Sequence, residues 1–160
     1  MMDRLQPDCS ACADLCCLAY AFDAGHGFGV DKSPNVACPN LGAKGCGIHS
    51  ELASCGYSGC VQYNCYGAGV RVTQDVFSGQ DWRRDARLIG PMCGALRQLA
   101  PAHEQAALLV HALDLPVPDA VKADLRDLAG RLLSCEPVQA QALTQTARLK
   151  LRELQKHLPK

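Results

Sequence analysis

Four cysteines stand within nine residues near the start of this chain, and they constrain its fold more than any other feature. They are the cysteines of the segment CSACADLCC, which begins at Cys9. If this segment is helical, steps of about 100° per residue bring Cys9, Cys12 and Cys16 onto one stripe, with Cys17 at its edge. A buried cysteine also packs well as a small apolar side chain, which is the purely structural alternative. The further cysteines downstream favour a binding site.

The cysteine count and the first residues bear on the cellular compartment. There are 11 cysteines, an odd number that cannot pair completely within one chain. The opening residues MMDRLQP lack the basic and apolar parts of a secretion signal, and no run of about 18 apolar residues occurs. We therefore predict a cytoplasmic protein with no membrane partner, in which thiols serve as metal or cluster ligands. A secreted, oxidised protein with an unrecognised export route is the alternative.

The charges give no reason to expect nucleic acid as a partner. Lys plus Arg number 16, as do Asp plus Glu, so no net field attracts a polyanion. The tail is basic, and we interpret its charges as the solvated face of a helix. These residues are Arg148, Lys150, Arg152, Lys156 and Lys160.

Composition changes near residue 70. Nine of the 11 cysteines and ten of the 14 glycines lie at or before Gly69, whereas the leucines concentrate after residue 87. We therefore predict a cysteine-cluster metal-binding region at 1–72 and a helical bundle at 73–160. The expected fold class is mainly α, with the irregular cysteine-rich region packed against a small helical bundle.

The glycine-rich segment 21–45 shows no regular apolar period, so it predicts an irregular loop. Such a loop buries few apolar groups that could offset the entropy of ordering its backbone. We therefore expect metal bonds at its ends to hold it.

Apolar residues recur at helical spacing in the second half of the chain. We expect a helix over 81–99 with a kink or break at Pro91, another that starts at Pro101, and a third over 119–134. Pro137 opens the last helix, whose narrow apolar seam can pair with a partner helix. The seam residues are Leu143, Ala147, Leu151, Leu154 and Leu158.

The succession of thiols resembles a known family. CPNL begins at Cys38, CGIH begins at Cys46, and Cys60 and Cys65 follow. With the initial segment, this order resembles the CxxCxxCC cysteine-cluster proteins, described as a zinc- or iron-chelating domain. Residues 55–72 are also similar to the N-terminal region of some actinobacterial pentapeptide-repeat proteins, although no pentapeptide repeat is visible here.

The chain departs from that family at two points. Three residues, Ala13 to Leu15, precede the double cysteine, where the family usually has two. This insertion shifts Cys16 and Cys17 by one helical step. The family also commonly has an aromatic residue where this chain has His49.

The resemblance implies eight metal ligands. Four soft thiolates in a tetrahedral set suit either Zn²⁺ or an iron–sulfur cluster. We expect zinc, with a [4Fe-4S] cluster as the alternative and copper(I) or free thiols as lesser ones. Eight ligands can form two groups of four or share sulfurs in one polynuclear centre. The predicted ligands are Cys9, Cys12, Cys16, Cys17, Cys38, Cys46, Cys60 and Cys65.

Other candidate residues lie outside this pattern. Cys55 is either a redox-active or spare thiol or a packed side chain, and His49 is a substitute ligand. Cys93 and Cys135 stand on helical apolar faces and are expected in the core. The remaining histidines are expected to be ordinary surface or packed residues, namely His26, His103, His111 and His157.

Three functions remain open from the sequence. The first is a cytoplasmic metal-binding protein that holds zinc or an iron–sulfur centre. The second is an enzyme that uses the centre for thiol redox chemistry or protein side-chain modification, because some members of the similar family are described as lysine methylases. No nucleophile–base motif or nucleotide-binding glycine fingerprint supports this reading. The third is a metal-stabilised interaction module that binds a protein partner through its C-terminal helices.

Overall fold

The computed structural model describes residues 1–43 and 45–157. Over these residues the chain is mainly α-helical, which confirms the predicted fold class. None of the helices in these two ranges is long and apolar enough to cross a membrane. The elements, in chain order, are α1 (Leu15–Ala19), β1 (Leu41–Gly42), β2 (Gly45–Cys46), α2 (Ser58–Gln62), α3 (Ala68–Val70), α4 (Ile89–His111), α5 (Asp119–Ser134) and α6 (Pro137–Glu153).

Contacts divide the chain into two compact units that interleave along the sequence. The helical unit contains Met1–Gln6, Tyr66–Ala68 and Gln98–Lys160. The thiol unit contains Pro7–Cys65 and Gly69–Arg97. The sequence predicts one boundary, at residue 72. In the structure, Gly69–Arg97 belongs to the same unit as the cysteines at Pro7–Cys65.

Within the helical unit, α5 and α6 pack against each other. The prediction for α5 is confirmed at both ends, and its Leu125 and Leu132 are fully buried. The prediction that Pro137 opens the last helix is also confirmed. Gln139 supports this start, because its side-chain oxygen accepts a hydrogen bond of 3.1 Å from the backbone N–H of Glu136.

The predicted seam of α6 lies largely inside the helical unit. Ala147 and Leu154 are buried, and Leu143 and Leu151 are half-buried. Leu158 lies outside the described residues. The seam therefore offers little apolar surface for a partner helix.

The predicted break between two helices near Pro101 is wrong. Instead, α4 runs from Ile89 to His111 with Pro101 inside it. Leu99 and Ala102, on either side of the proline, are fully buried. This burial offsets the backbone hydrogen bond that proline cannot make. The sequence pattern predicted a break because it contains the proline but not the tertiary burial. The predicted start of this helix at residue 81 is also wrong, because α4 begins at Ile89. Pro91, predicted to kink or break the helix, lies in the first turn of α4, where no intrahelical N–H bond is needed.

The segment CSACADLCC is not one continuous helix, which corrects the single stripe considered above. Its first cysteine begins a short 3₁₀ turn, Cys9–Ala11, and α1 begins only at Leu15. Between them, Asp14 adopts a left-handed backbone conformation with φ of 52°. The inserted residue of this chain therefore forms a bend between the first two cysteines and the double cysteine.

The glycine-rich loop has an apolar contact of its own, contrary to expectation. Phe22 and Lys32 exchange two backbone hydrogen bonds, of 2.9 and 3.0 Å. The rings of Phe22 and Phe28 stack with their centroids 4.3 Å apart. These contacts order the middle of the loop.

Candidate metal centre

All eight predicted ligands lie in the thiol unit, and all are free thiols. They come from short elements that are far apart in sequence. Cys16 and Cys17 stand on α1, Cys46 on β2 and Cys60 on α2. The fold thus gathers in one unit the cysteines that the sequence pattern singled out.

Cys16 adjoins Cys17 on α1 and influences several of the other thiols electrostatically. Its sulfur is 3.9 Å from that of Cys17. The hydrogen bond with Cys17, together with burial, raises the pKa of the Cys16 thiol far above its usual range. The charge of a Cys16 thiolate also acts on Cys9, Cys12 and Cys60. Cys16 is therefore close to thiols from both the beginning and the end of the cysteine region.

One group of thiols surrounds Cys16 on the side of Gly69. Burial and, to a smaller extent, the charges of Cys16 and Cys65 raise the pKa of Cys12 to about 11. Burial, followed by the same two cysteines, also raises the pKa of Cys9. Cys9 and Cys12 therefore both lie within electrostatic range of Cys16 and Cys65.

Gly69 allows this group to approach the backbone closely. A Cβ atom at Gly69 would lie 2.7 Å from the Cys12 sulfur and 4.0 Å from the Cys65 sulfur. Thr73, one turn further on, donates a hydrogen bond of 2.9 Å to the Gly69 carbonyl oxygen. Its hydroxyl oxygen accepts a bond of 3.1 Å from the N–H of Ala13. The backbone on both sides of the Cys12 sulfur is therefore fixed by one hydroxyl group.

A second group contains Cys38, Cys46 and Cys60. Burial, followed by the charges of Cys16, Cys38 and Cys46, raises the pKa of Cys60 to about 11. The backbone brings the first two of these together, because Leu41 pairs with Cys46 across β1 and β2 and its N–H donates to the Cys38 carbonyl at 2.9 Å. Gly45, the first residue of β2, has a φ of 98°, a conformation that glycine adopts without steric cost.

Cys17 belongs with this second group through its backbone. The N–H of Cys38 donates a hydrogen bond of 3.0 Å to the Cys17 carbonyl oxygen. If Cys16 joins the first group and Cys17 the second, each group contains four thiols. The two groups then meet at the adjacent Cys16 and Cys17.

The thiols are gathered but not closed into a metal site. In the described part of the chain, no three His, Cys, Asp or Glu side chains stand in an arrangement that holds a metal ion. Sulfurs bound to one tetrahedral zinc lie about 3.8 Å apart, given Zn–S bonds of about 2.3 Å. A tetrahedral metal ion in either group would therefore require side-chain rotation that draws its sulfurs together. The donor set itself fits soft metals, because all eight predicted donors are thiols.

Trp82 and Arg83 hold the bend before the double cysteine, which sequence reasoning missed. The indole N–H of Trp82 donates 2.8 Å to the carbonyl oxygen of Ala13. The Arg83 guanidinium donates 2.6 Å to the carboxylate of Asp14. No spacing pattern links residues 13–14 to residues 82–83, so the sequence contains no signal for this contact.

The other candidates occupy varied positions. His49 and Cys55 are exposed. Cys93 and Cys135 are buried, as predicted for core residues. Of the remaining histidines, His103 is packed in the helical unit, where its Nδ1–H donates to the Tyr66 carbonyl oxygen at 2.7 Å. The others, His26, His111 and His157, are exposed.

Comparison with known proteins gives one distant relative and no function. No protein-family model matches the chain, and no solved structure matches it. The chain is 32% identical over 123 residues to the uncharacterized protein YybG of Bacillus subtilis (strain 168). The match covers 76% of this chain but 44% of the relative, so the chain spans less than half of that protein. The resemblance to the CxxCxxCC proteins therefore stays a prediction.

Proposed function

We propose that this chain is a cytoplasmic metal-binding protein of the CxxCxxCC type, whose thiol unit holds zinc through two sets of four cysteines. The observation that supports this most strongly is that all eight thiols lie in one unit, with the sulfurs of Cys16 and Cys17 3.9 Å apart and the backbones of Cys17 and Cys38 joined by a hydrogen bond. The first set is Cys9, Cys12, Cys16 and Cys65. The second set is Cys17, Cys38, Cys46 and Cys60.

The electrostatics of the thiols support a cationic occupant. The raised pKa values of Cys12 and Cys60, both to about 11, keep these thiols protonated at neutral pH. Burial disfavours their thiolates, and so does the charge of the neighbouring sulfurs. A bound cation would compensate the charge of the thiolates and so offset both effects, and its binding would release the thiol protons. Zinc with four thiolate ligands has no open position, and its role is to fix the backbone of the thiol unit.

Metal analysis of anaerobically purified protein tests this proposal. We expect a colourless protein with two zinc ions per chain. Broad visible absorption accompanied by iron and inorganic sulfide would replace zinc with a [4Fe-4S] cluster. Less than one metal ion per chain under these conditions would contradict metal binding altogether.

Single substitutions test the division into two sets. Cys12→Ser and Cys46→Ser should each lower the zinc content by one ion per chain, and the double variant should lower it by two. Cys55→Ser is the matched control, because this thiol is exposed and lies outside both sets. If Cys12→Ser alone removes all of the zinc, the thiols form one polynuclear centre instead.

A further inference from the structure

Lys32 is a buried cation that pairs with no carboxylate in the described part of the chain. The residue is 7% exposed. Its ammonium group donates to the carbonyl oxygens of Leu18 (3.2 Å), Ser33 (3.2 Å) and Val36 (2.7 Å). It also lies 4.8 Å from the ring centroid of Phe22. Among the ion pairs of residues 1–43 and 45–157, none joins Lys32 to a carboxylate.

This ammonium group lies where two ligands of the second set meet. Leu18 directly follows Cys17, and Val36 precedes Cys38 by two residues. The backbones of Cys17 and Cys38 are themselves joined by the 3.0 Å hydrogen bond described above. Lys32 therefore ties together the two segments that carry these thiols. Burial lowers the pKa of Lys32, while the charges of Cys38 and Cys17 oppose this shift more than those of Cys93 and Cys16 do.

The positive charge of Lys32 favours an anion close by, because its present contacts are neutral groups. Carbonyl dipoles and an aromatic ring only partly offset the cost of removing an ammonium ion from water. A Zn²⁺ ion with four thiolates carries a net charge of about −2. Such a centre in the second set would supply the anion that Lys32 lacks. Arg83, by contrast, already has the carboxylate of Asp14 as its partner.

We propose that Lys32 is the positioning and charge-compensating residue of the second set: its ammonium group holds the segments of Cys17 and Cys38 together and balances the negative charge of a four-thiolate ion bound there. This inference rests on the proposed function. It makes the zinc affinity of the second set depend on the charge of one lysine.

Three substitutions separate the charge of Lys32 from its hydrogen bonds. Lys32→Arg keeps both, Lys32→Gln keeps a donor without the charge, and Lys32→Met removes both. Each full-length variant is titrated with Zn²⁺ against a chromophoric chelator. We expect the second-set zinc to bind about 10- to 100-fold more weakly in Lys32→Gln and Lys32→Met, with substantial recovery in Lys32→Arg. Zinc affinity of the first set should not change.

Substitution of Co²⁺ for zinc adds a second measurement, the wavelength of the sulfur-to-cobalt charge-transfer band. A purely structural role of Lys32 would leave this wavelength unchanged. Loss of a nearby positive charge raises the energy of the thiolate electrons. The sulfur-to-cobalt charge-transfer band should therefore shift to longer wavelength in Lys32→Gln and Lys32→Met, but not in Lys32→Arg. Arg97→Met is a control, because Arg97 also donates to a carbonyl near the end of α1, that of Ala19 at 2.9 Å.

The outcomes distinguish this inference from the proposed function. If the wild-type protein binds two zinc ions and Lys32→Gln binds both as tightly, the charge role of Lys32 is wrong. An equal loss of affinity in Arg97→Met would likewise reduce Lys32 to a general structural tie and overturn the inference. If the wild-type protein binds less than one metal ion, the proposed function fails and this inference fails with it.

Discussion

The helical unit and the thiol unit are stabilised by different kinds of contact. The helical unit contains α5 and α6, of 16 and 17 residues, and completely buries Leu125 and Leu132 of α5 and Ala140 and Ala147 of α6. In the described part of the thiol unit, the α-helices before residue 89 have five residues or fewer. Helices shorter than about 12 residues are marginal on their own. The helical unit therefore depends mainly on packing between long helices, whereas the thiol unit combines buried apolar side chains, among them Leu15, Leu18 and Val72, with cross-links between short segments.

Polar side chains provide some of these cross-links in the thiol unit. Gln74, Trp82 and Arg97 each donate to a backbone carbonyl more than 60 residues earlier in the chain. Each such bond contributes only about 1 kcal/mol net. Thiolate–metal bonds are the stronger candidates, since a structural zinc can supply about 10 kcal/mol or more of apparent binding energy.

Metal removal should separate the two units most clearly. Trp82 is the only tryptophan of the chain and lies in the thiol unit, so its fluorescence reports on that unit alone. We expect a strong chelator to shift the Trp82 emission to the red as the indole loses its bond to Ala13. Far-UV circular dichroism should retain most of its helical signal, because the long helices do not depend on thiols.

Re-addition of zinc should restore the emission, which serves as the control for irreversible damage. An unchanged emission and melting temperature after complete metal removal would show that the thiol unit is held without metal. Simultaneous loss of the helical signal would show that the two units are not independent in stability.

Truncation of a buried leucine in the helical unit should have the next largest effect, on the free energy of unfolding. Leu132 is fully buried on α5. Leu132→Ala should lower the free energy of unfolding by about 2–5 kcal/mol, through lost apolar burial and the cavity left behind. Leu149→Ala is the matched control, because Leu149 is 59% exposed on α6. Urea unfolding followed by circular dichroism measures both, and a loss of zinc from Leu132→Ala would contradict the separation of roles.

A smaller effect is expected from one methyl group beside the first set. Gly69→Ala would place its Cβ 2.7 Å from the Cys12 sulfur. We expect a cost of about 1–3 kcal/mol, seen as weaker zinc binding by the first set, because the sulfur must shift. Gly94→Ala on α4 is the control, since nothing lies within 4 Å of its Cβ position. That variant should gain about 0.5–1 kcal/mol of stability from helix propensity.

If Gly69→Ala binds zinc as tightly as the wild type, Cys12 does not need its position beside Gly69. That result would show that Cys12 is not a ligand of the first set. Competition with a chromophoric chelator resolves affinity differences of this size.

The sequence anticipated the helical unit better than the thiol unit, for a physical reason. The bounds of α5 and the start of α6 depend on periodicity and proline, which act locally. The bend at Asp14 depends on Trp82 and Arg83, nearly 70 residues away, and the continuity of α4 through Pro101 depends on tertiary burial. Local patterns contain neither kind of contact.

The candidate site shows the same division. Spacing and resemblance singled out the eight thiols, because cysteine clusters are visible in one dimension. Their grouping around Cys16 was not visible, since it depends on how α1, the β1–β2 pair and the segment after Cys65 come together. Lys32 was missed for the same reason, because a lysine in a glycine-rich loop carries no signal of burial.

Two ion pairs of similar length offer the finest comparison of the units. Asp14 and Arg83 in the thiol unit are 2.6 Å apart, with side chains 13% and 24% exposed. Asp124 and Lys150 in the helical unit are 2.7 Å apart, with side chains 62% and 28% exposed. Water screens the second pair more strongly, so burial should decide the difference.

Double-mutant cycles with Asp14→Asn and Arg83→Met, and with Asp124→Asn and Lys150→Met, measure each coupling from unfolding free energies. Asparagine tolerates the left-handed conformation of residue 14, so that substitution removes charge without straining the bend. We expect a coupling of about 1–2 kcal/mol for the thiol-unit pair and about 0.5 kcal/mol or less for the other. Equal couplings would mean that the Asp14 bend is held by its backbone and by Trp82, and that Arg83 contributes no more than a surface charge.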